Sequence, residues 1–184
     1  AGEQGQARRD RSFVKPLPRR ISEGSFAPMR ILVALILLLT PTAALAQFWS
    51  HYTNERFDYA LDIPPGYEGA GENQPGDGQW FYNLEAEQGL TVWGAPLNGG
   101  FDKAIIDVAA TVRSEGWAIT EQSSTPEWAT LAAMRDHRLI FQRMILLCDR
   151  RSYAAFRIEF NIRDLGQMGE ILSGISRSFV PTNC

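Results

Sequence analysis

Residue types that could perform chemistry are sparse in this sequence of 184 residues. The two histidines, His51 and His137, lie far apart and match no ligand spacing that is typical of a zinc site. The segment ENQPGDGQ offers oxygen ligands at Glu72, Asn73 and Asp77, but it lacks the alternation and the terminal glutamate of a calcium loop. The sequence contains neither a GxSxG elbow nor a cysteine close to a histidine. It therefore predicts no metal, no cofactor and no catalytic residue.

The segment GDGQWF is the first of two candidate binding features. It joins a stretch rich in Gly and Pro to a predicted strand, and it carries Asp77 and Trp80. Trp93 falls on the next predicted strand, so the two tryptophans could line the floor of a groove that binds a ligand or a partner. The alternative is that both are core residues beneath a helix, because tryptophan is usually largely buried.

The second candidate feature is Arg143, a charge within the apolar face of a predicted strand. Its neighbours on that face are Leu139, Phe141, Ile145 and Leu147. A charge in this position has to reach water or find a partner. Either its side chain extends to solvent or meets an acid such as Glu159, or it marks a site for an anionic ligand.

Residues 29–47, MRILVALILLLTPTAALAQ, have the organisation of a bacterial secretory signal peptide. Arg30 supplies the positive charge, and nine aliphatic residues follow it. Small residues at Ala44 and Ala46 then predict cleavage between Ala46 and Gln47. A membrane-spanning helix would need about 20 apolar residues, and Thr and Pro interrupt this run well before that length.

This interpretation divides the chain into three parts. Residues 1–28 are expected to be a disordered leader or an upstream extension, residues 29–46 the signal peptide, and residues 47–184 a single domain. The domain carries 11 basic and 18 acidic residues, a net charge of 11 − 18 = −7, which disfavours nucleic-acid binding. We therefore expect a periplasmic or secreted protein with no membrane association once the signal is removed.

Export also bears on the two cysteines, Cys148 and Cys184. In an oxidising compartment they can form a disulfide, which would hold the last residues of the sequence in place. The alternative is two free thiols.

Hydrophobic periodicity indicates how the remaining residues are arranged. Strict alternation in RFDYALDI and in SYAAFRIEF is typical of half-buried strands, whereas Gly66 to Gly78 is expected to be a long surface loop. Apolar residues at helical spacing predict one helix over 103–114, capped by Asp102, and another over 165–176 with Leu165 in its buried stripe. The order of elements predicts an α+β domain in which helices cover an antiparallel sheet.

Three segments of the chain resemble the fold family of PsbP, the extrinsic protein of photosystem II, and its exported proteobacterial relatives. These segments are YTNERFDYALDIPPGY, GDGQWF and ILSGISRSF. The resemblance implies an antiparallel sheet between helices, an α/β/α sandwich, and a noncatalytic binding or assembly role. No partner-binding residue of PsbP has a match in this sequence that could be carried over.

Together these features predict an exported, noncatalytic binding module, monomeric or weakly dimeric, that recognises a protein partner in the periplasm. One alternative is a small-molecule binder that uses a groove near Trp80 and Trp93. Another is an enzyme whose site is assembled from separate strands.

Overall fold

The computed structural model describes residues 48–72 and 76–184. The predicted leader, the signal peptide and the cleavage site between Ala46 and Gln47 lie outside the described residues, as does Asn73. The structure therefore bears on the predicted domain and on the residues proposed to bind within it.

A seven-stranded antiparallel sheet forms the centre of the domain. Its strands are β3 (Glu68–Glu72), β4 (Gly78–Asn83), β5 (Gln88–Pro96), β6 (Ala118–Ser124), β7 (Trp128–Arg135), β8 (Arg138–Leu146) and β9 (Ser152–Asn161). Their order across the sheet is β3-β4-β5-β9-β8-β7-β6. Successive side chains of a strand point to opposite faces, so the alternating residues of β8 and β9 supply both faces of the sheet with apolar groups.

Two helices, α1 (Phe101–Ser114) and α2 (Leu165–Ser178), pack on opposite faces of this sheet. The face beneath α2 is also covered by a three-stranded sheet of β1 (Ser50–Asn54), β2 (Tyr59–Ile63) and β10 (Val180–Pro181). We call this side the α2 face. Its core contains the fully buried residues Tyr59, Leu61, Leu90, Phe156, Ile158, Met168 and Ile175.

Helix α1 covers only part of the other side, which we call the α1 face. Its buried residues, among them Ile105, Ala109 and Val112, pack against β7, β8 and β9. Gly116, at φ +85°, ends the helix in a backbone conformation that glycine adopts at little cost. The strands β3 and β4 lie beyond the cover of the helix, and β4 leaves two aromatic side chains exposed there.

The predicted α+β class is confirmed, since an antiparallel sheet lies between helices. The prediction of an unbroken loop from Gly66 to Gly78 is wrong, because β3 pairs with β4 through its backbone although all five of its residues are exposed. The prediction that Asp102 caps α1 is also wrong. The helix begins at Phe101, and Gly100 occupies the cap position. Leu165 is 55% exposed because the buried residues of α2 begin a turn later, at Met168.

Candidate functional site

An open groove of about 510 Å³ runs along the α1 face, between α1 and the strands that the helix leaves uncovered. We call it the aromatic groove. It is lined by Asp77, Trp80, Thr91, Trp93, Gly94, Ala95, Thr111, Glu115 and Arg157. The structure thus brings together three of the residues proposed from the sequence, Asp77, Trp80 and Trp93.

The two tryptophans share a face because of the strand register. Trp80 of β4 lies opposite Thr91 of β5, and Gly78 lies opposite Trp93, so both indoles project toward the α1 side. A Cβ atom at Gly78 would come within 1.9 Å of the Val92 carbonyl oxygen, so only glycine permits this close approach of the two backbones.

Trp80 and Trp93 differ in how far they are covered. Trp80 is 47% exposed, whereas Trp93 is partly buried and packs against the apolar cluster beneath α1. Tyr82, two residues after Trp80 on the same face of β4, is 39% exposed. Trp80 therefore forms an aromatic wall of the groove that faces solvent, Tyr82 extends this exposed aromatic surface beyond the groove, and the floor at Trp93 continues into the core.

Asp77 lies at one end of the groove, where neighbouring elements position it. Its carboxylate pairs with Arg56, and its carbonyl oxygen accepts a hydrogen bond from the Gly94 amide at 2.8 Å. The Asn54 side chain donates to the adjacent Gly76 carbonyl at 3.0 Å. The turn between β1 and β2 thereby fixes the GDGQWF segment against β5.

The opposite wall of the groove contains an ion pair that the sequence analysis missed. Arg157 Nη1 lies 2.9 Å from Glu115 Oε2 of the helix end, and Arg157 Nε donates to Gln142 Oε1 at 2.9 Å. Alternation in β9 places Arg157 on the polar face of its strand. Its partner is 42 residues away in the sequence, so no local pattern points to the pair.

Arg143 lies on the other side of the sheet, away from the aromatic groove. Its neighbours across the strands are Thr130 and Phe156, and its guanidinium carbon lies 5.0 Å from the centre of the Trp128 ring. The suggested pairing with Glu159 is wrong, because Glu159 projects from the opposite face of β9.

Glu159 instead accepts a hydrogen bond from Arg138 Nε at 2.9 Å. Burial lowers the pKa of the Arg143 guanidinium from its ordinary value.

Cys148 and Cys184 form a disulfide, with their Cα atoms 5.4 Å apart.

Within residues 48–72 and 76–184, no group of three or more His, Cys, Asp or Glu side chains is placed to hold a metal ion. The same part of the chain contains no helix long and apolar enough to cross a membrane.

The arrangement of sheet and helices is that of the PsbP-like α+β proteins. One similar structure is cyanobacterial PsbP (CyanoP) from Synechocystis sp. PCC 6803, with a TM-score of 0.57 and 14% sequence identity over 73% of this chain and 93% of that chain. Another is the Ran-binding protein Mog1p of Saccharomyces cerevisiae, with a TM-score of 0.56 and 10% identity over 75% of this chain and 97% of that chain. At these identities the likeness shows the fold alone.

Comparison by amino-acid sequence, unlike comparison by structure, finds no similar curated protein or family. No protein-family model matches the chain, and no curated protein matches it. The function therefore has to be argued from the side chains of the described domain.

Proposed function

We propose that the protein is an exported, noncatalytic binding module that recognises a protein partner through the aromatic groove. The observation that carries this proposal is the pair Trp80 and Tyr82, which lie side by side on a part of the sheet that neither described helix covers. Large aromatic groups at the centre of a contact surface contribute strongly to protein association.

The surroundings of this pair also favour a binding surface. Ion pairs lie beside it, Arg56 with Asp77 at one end and Glu115 with Arg157 along the far wall. Apolar centres with a polar rim are typical of protein interfaces. Proteins of this fold include the Ran-binding protein Mog1p, which supports a binding role for the fold without identifying the partner of this chain.

The chemistry of the groove favours binding over catalysis. Its described lining residues include no His, Cys or Ser, and both of its carboxylates already pair with an arginine. The hydroxyl groups of Thr91 and Thr111, which also line the groove, therefore have neither a histidine nor an unpaired carboxylate among these described residues to act as a base.

Export is the second part of the proposal, and it rests on the signal-like segment that ends at Ala46. The disulfide between Cys148 and Cys184 supports it, because such bonds persist in oxidising compartments. N-terminal sequencing of the protein from the periplasm or medium of its native host should give Gln47 as the first residue. Retention of an uncleaved chain in the cytoplasm would contradict this part of the proposal.

The partner proposal is tested by affinity capture from periplasmic extract with two matched variants. Trp80→Thr removes the exposed indole but keeps a residue suited to a strand. Ile106→Gln removes another exposed apolar side chain, 66% exposed, from α1 outside the groove.

A partner specific to the groove is recovered with the unchanged protein and with Ile106→Gln, and is lost with Trp80→Thr. Equal recovery with all three proteins would show that the partner binds elsewhere. Recovery of no specific protein would contradict the proposal of a protein partner and favour a small-molecule ligand of the groove instead.

A small-molecule site is the second candidate, and the size of the groove favours it. About 510 Å³ is the volume of the aromatic groove, and sites for small ligands usually occupy about 300–1,000 Å³. A screen of apolar and aromatic ligands by ligand-observed NMR, repeated with Trp80→Thr, should give hits that this substitution removes. Hits that persist in the variant would contradict a ligand site at Trp80.

A further inference from the structure

A second cavity, of about 480 Å³, is lined in part by Arg143. It lies near the end of β8 on the α2 face and is lined by Trp128, Arg150, Pro181 and the disulfide-bonded Cys148 and Cys184, among others. This cavity is separate from the aromatic groove, with which it shares no lining residue.

Comparison with the other partly buried arginines shows what is unusual about Arg143. Within the described part of the chain, three arginines are neither exposed nor fully buried: Arg138, Arg143 and Arg157. Arg138 and Arg157 each meet a glutamate at 2.9 Å. Arg143 meets no carboxylate there, and its Nε atom is buried without a hydrogen-bond partner. A desolvated donor of this kind lowers stability unless an acceptor reaches the group.

The stacking on Trp128 determines how an acceptor would approach. An indole 5.0 Å away occupies one face of the guanidinium. The N–H groups lie in the plane of the guanidinium, so an indole stacked on its face does not occupy its edge. That edge matches the paired oxygens of a carboxylate or a phosphate.

Glu127 and Arg150 also line this cavity, so Arg150 adds a second positive charge beside Arg143 and Glu127 adds one negative charge. Arg150 and Glu127 pair at 3.4 Å, and both side chains are about 70% exposed, at 70% and 71%. An exposed pair of this kind is weak. Arg150 can therefore turn from Glu127 toward an anion in the cavity at little cost.

We propose that this cavity binds a small oxyanion, a carboxylate or a phosphate group, which the edge of the Arg143 guanidinium holds. The anion supplies the acceptor that Arg143 lacks within the described domain. This site and the aromatic groove lie on opposite faces of the sheet. The proposal of an oxyanion site therefore does not depend on the proposal that a protein partner binds the groove.

The test is a titration of the isotope-labelled protein with sodium phosphate and, separately, sodium acetate, at an ionic strength held constant with sodium chloride. We expect saturable NMR shifts at the Arg143 Nε–H and the Trp128 indole N–H, and none at the Trp80 indole. Saturation by phosphate alone indicates a phosphate-bearing ligand, and saturation by acetate alone indicates a carboxylate. The absence of saturable shifts at Arg143 with both salts overturns the proposal.

Substitution then assigns the binding to one side chain. Arg143→Lys keeps the charge but lacks the planar fork, and we expect it to weaken binding at least about tenfold. The matched control is Arg138→Lys, which makes the same change at a partly buried arginine outside both this cavity and the aromatic groove and should leave the affinity unchanged. Equal affinity of Arg143→Lys and the unchanged protein would overturn the role of Arg143. If that variant fails to fold, the titration of the unchanged protein still decides the question.

Discussion

The two faces of the seven-stranded sheet carry similar side chains under different cover. On the α2 face, the aromatic ring of Phe156 is completely buried beneath helix and small sheet. On the α1 face, no element of the described residues lies above Trp80 and Tyr82, which stay 47% and 39% exposed. An aromatic residue on a strand thus becomes core or contact surface according to what packs above it, and the strand pattern alone does not distinguish the two.

The largest difference between the faces should appear on truncating an aromatic residue to alanine. Phe156 lies between Phe141 and Phe179, at ring-centre distances of 6.0 and 5.2 Å. Phe156→Ala should lower the free energy of unfolding by about 3–5 kcal/mol, because it leaves a cavity in a packed core. Urea-induced unfolding measures the loss. The matched substitution Tyr82→Ala should cost less than about 1 kcal/mol, and equal losses would contradict the contrast between the faces.

A smaller loss should follow when the cover of the α2 face is no longer tied to the sheet. The disulfide joins Cys148, after β8, to Cys184, 36 residues later. Replacing both cysteines by serine should cost about 2–4 kcal/mol, because the unfolded chain gains freedom. Thermal unfolding of the double variant, beside the unchanged protein without reductant, measures the difference. Two thiols that alkylate in the untreated protein would show that the bond is not formed.

The ion pair beside the aromatic groove should contribute less again. Glu115 and Arg157 are 40% and 23% exposed, so water screens much of their attraction. A double-mutant cycle with Glu115→Gln and Arg157→Gln should give a coupling of about 0.5–1 kcal/mol. A coupling of about 3 kcal/mol or more would mean that Glu115 and Arg157 interact as strongly as a buried ion pair. That result would contradict the contrast between the two faces.

The smallest effect on stability is expected at the most exposed aromatic residue of the groove. Trp80→Thr should change the free energy of unfolding by about 0.5 kcal/mol or less, since the side chain is half solvated and threonine suits a strand. Chemical denaturation checks this value. A loss as large as that of Phe156→Ala would assign Trp80 to the core, and its use as a contact residue would lose its basis.

The sequence predicts those features that depend on neighbouring residues. Alternation in β9 identifies a strand with two distinct faces, and the GDGQWF segment places Trp80 beside a tryptophan on the next strand. The strand β3 was missed because its residues are Gly, Ala and Glu, which carry no apolar alternation, and only backbone pairing with β4 defines it. Residues far apart in the chain, such as Glu115 and Arg157, meet only through the topology.

Arg143 shows where local reasoning fails for a different reason. Its position on an apolar strand face marks it as unusual, but the choice of a partner needs the register of the next strand. Arg143 lies opposite Phe156, so Glu159, an odd number of residues further along β9, projects to the other side. Strand parity therefore excludes this pairing once the register is known.

The disulfide has a practical consequence for the cavity that Arg143 lines in part. Pro181 and Cys184 form part of its wall. Without the covalent bond, that wall is held by the short β10 pairing with β2 and by two hydrogen bonds of 2.7 Å to Asp58, from the Thr182 amide and the Asn183 side chain. The affinity of this cavity for an anion should therefore depend on whether the disulfide of the sample is intact. A sample purified with reductant and one purified without it should be handled as two different proteins until their thiols have been counted.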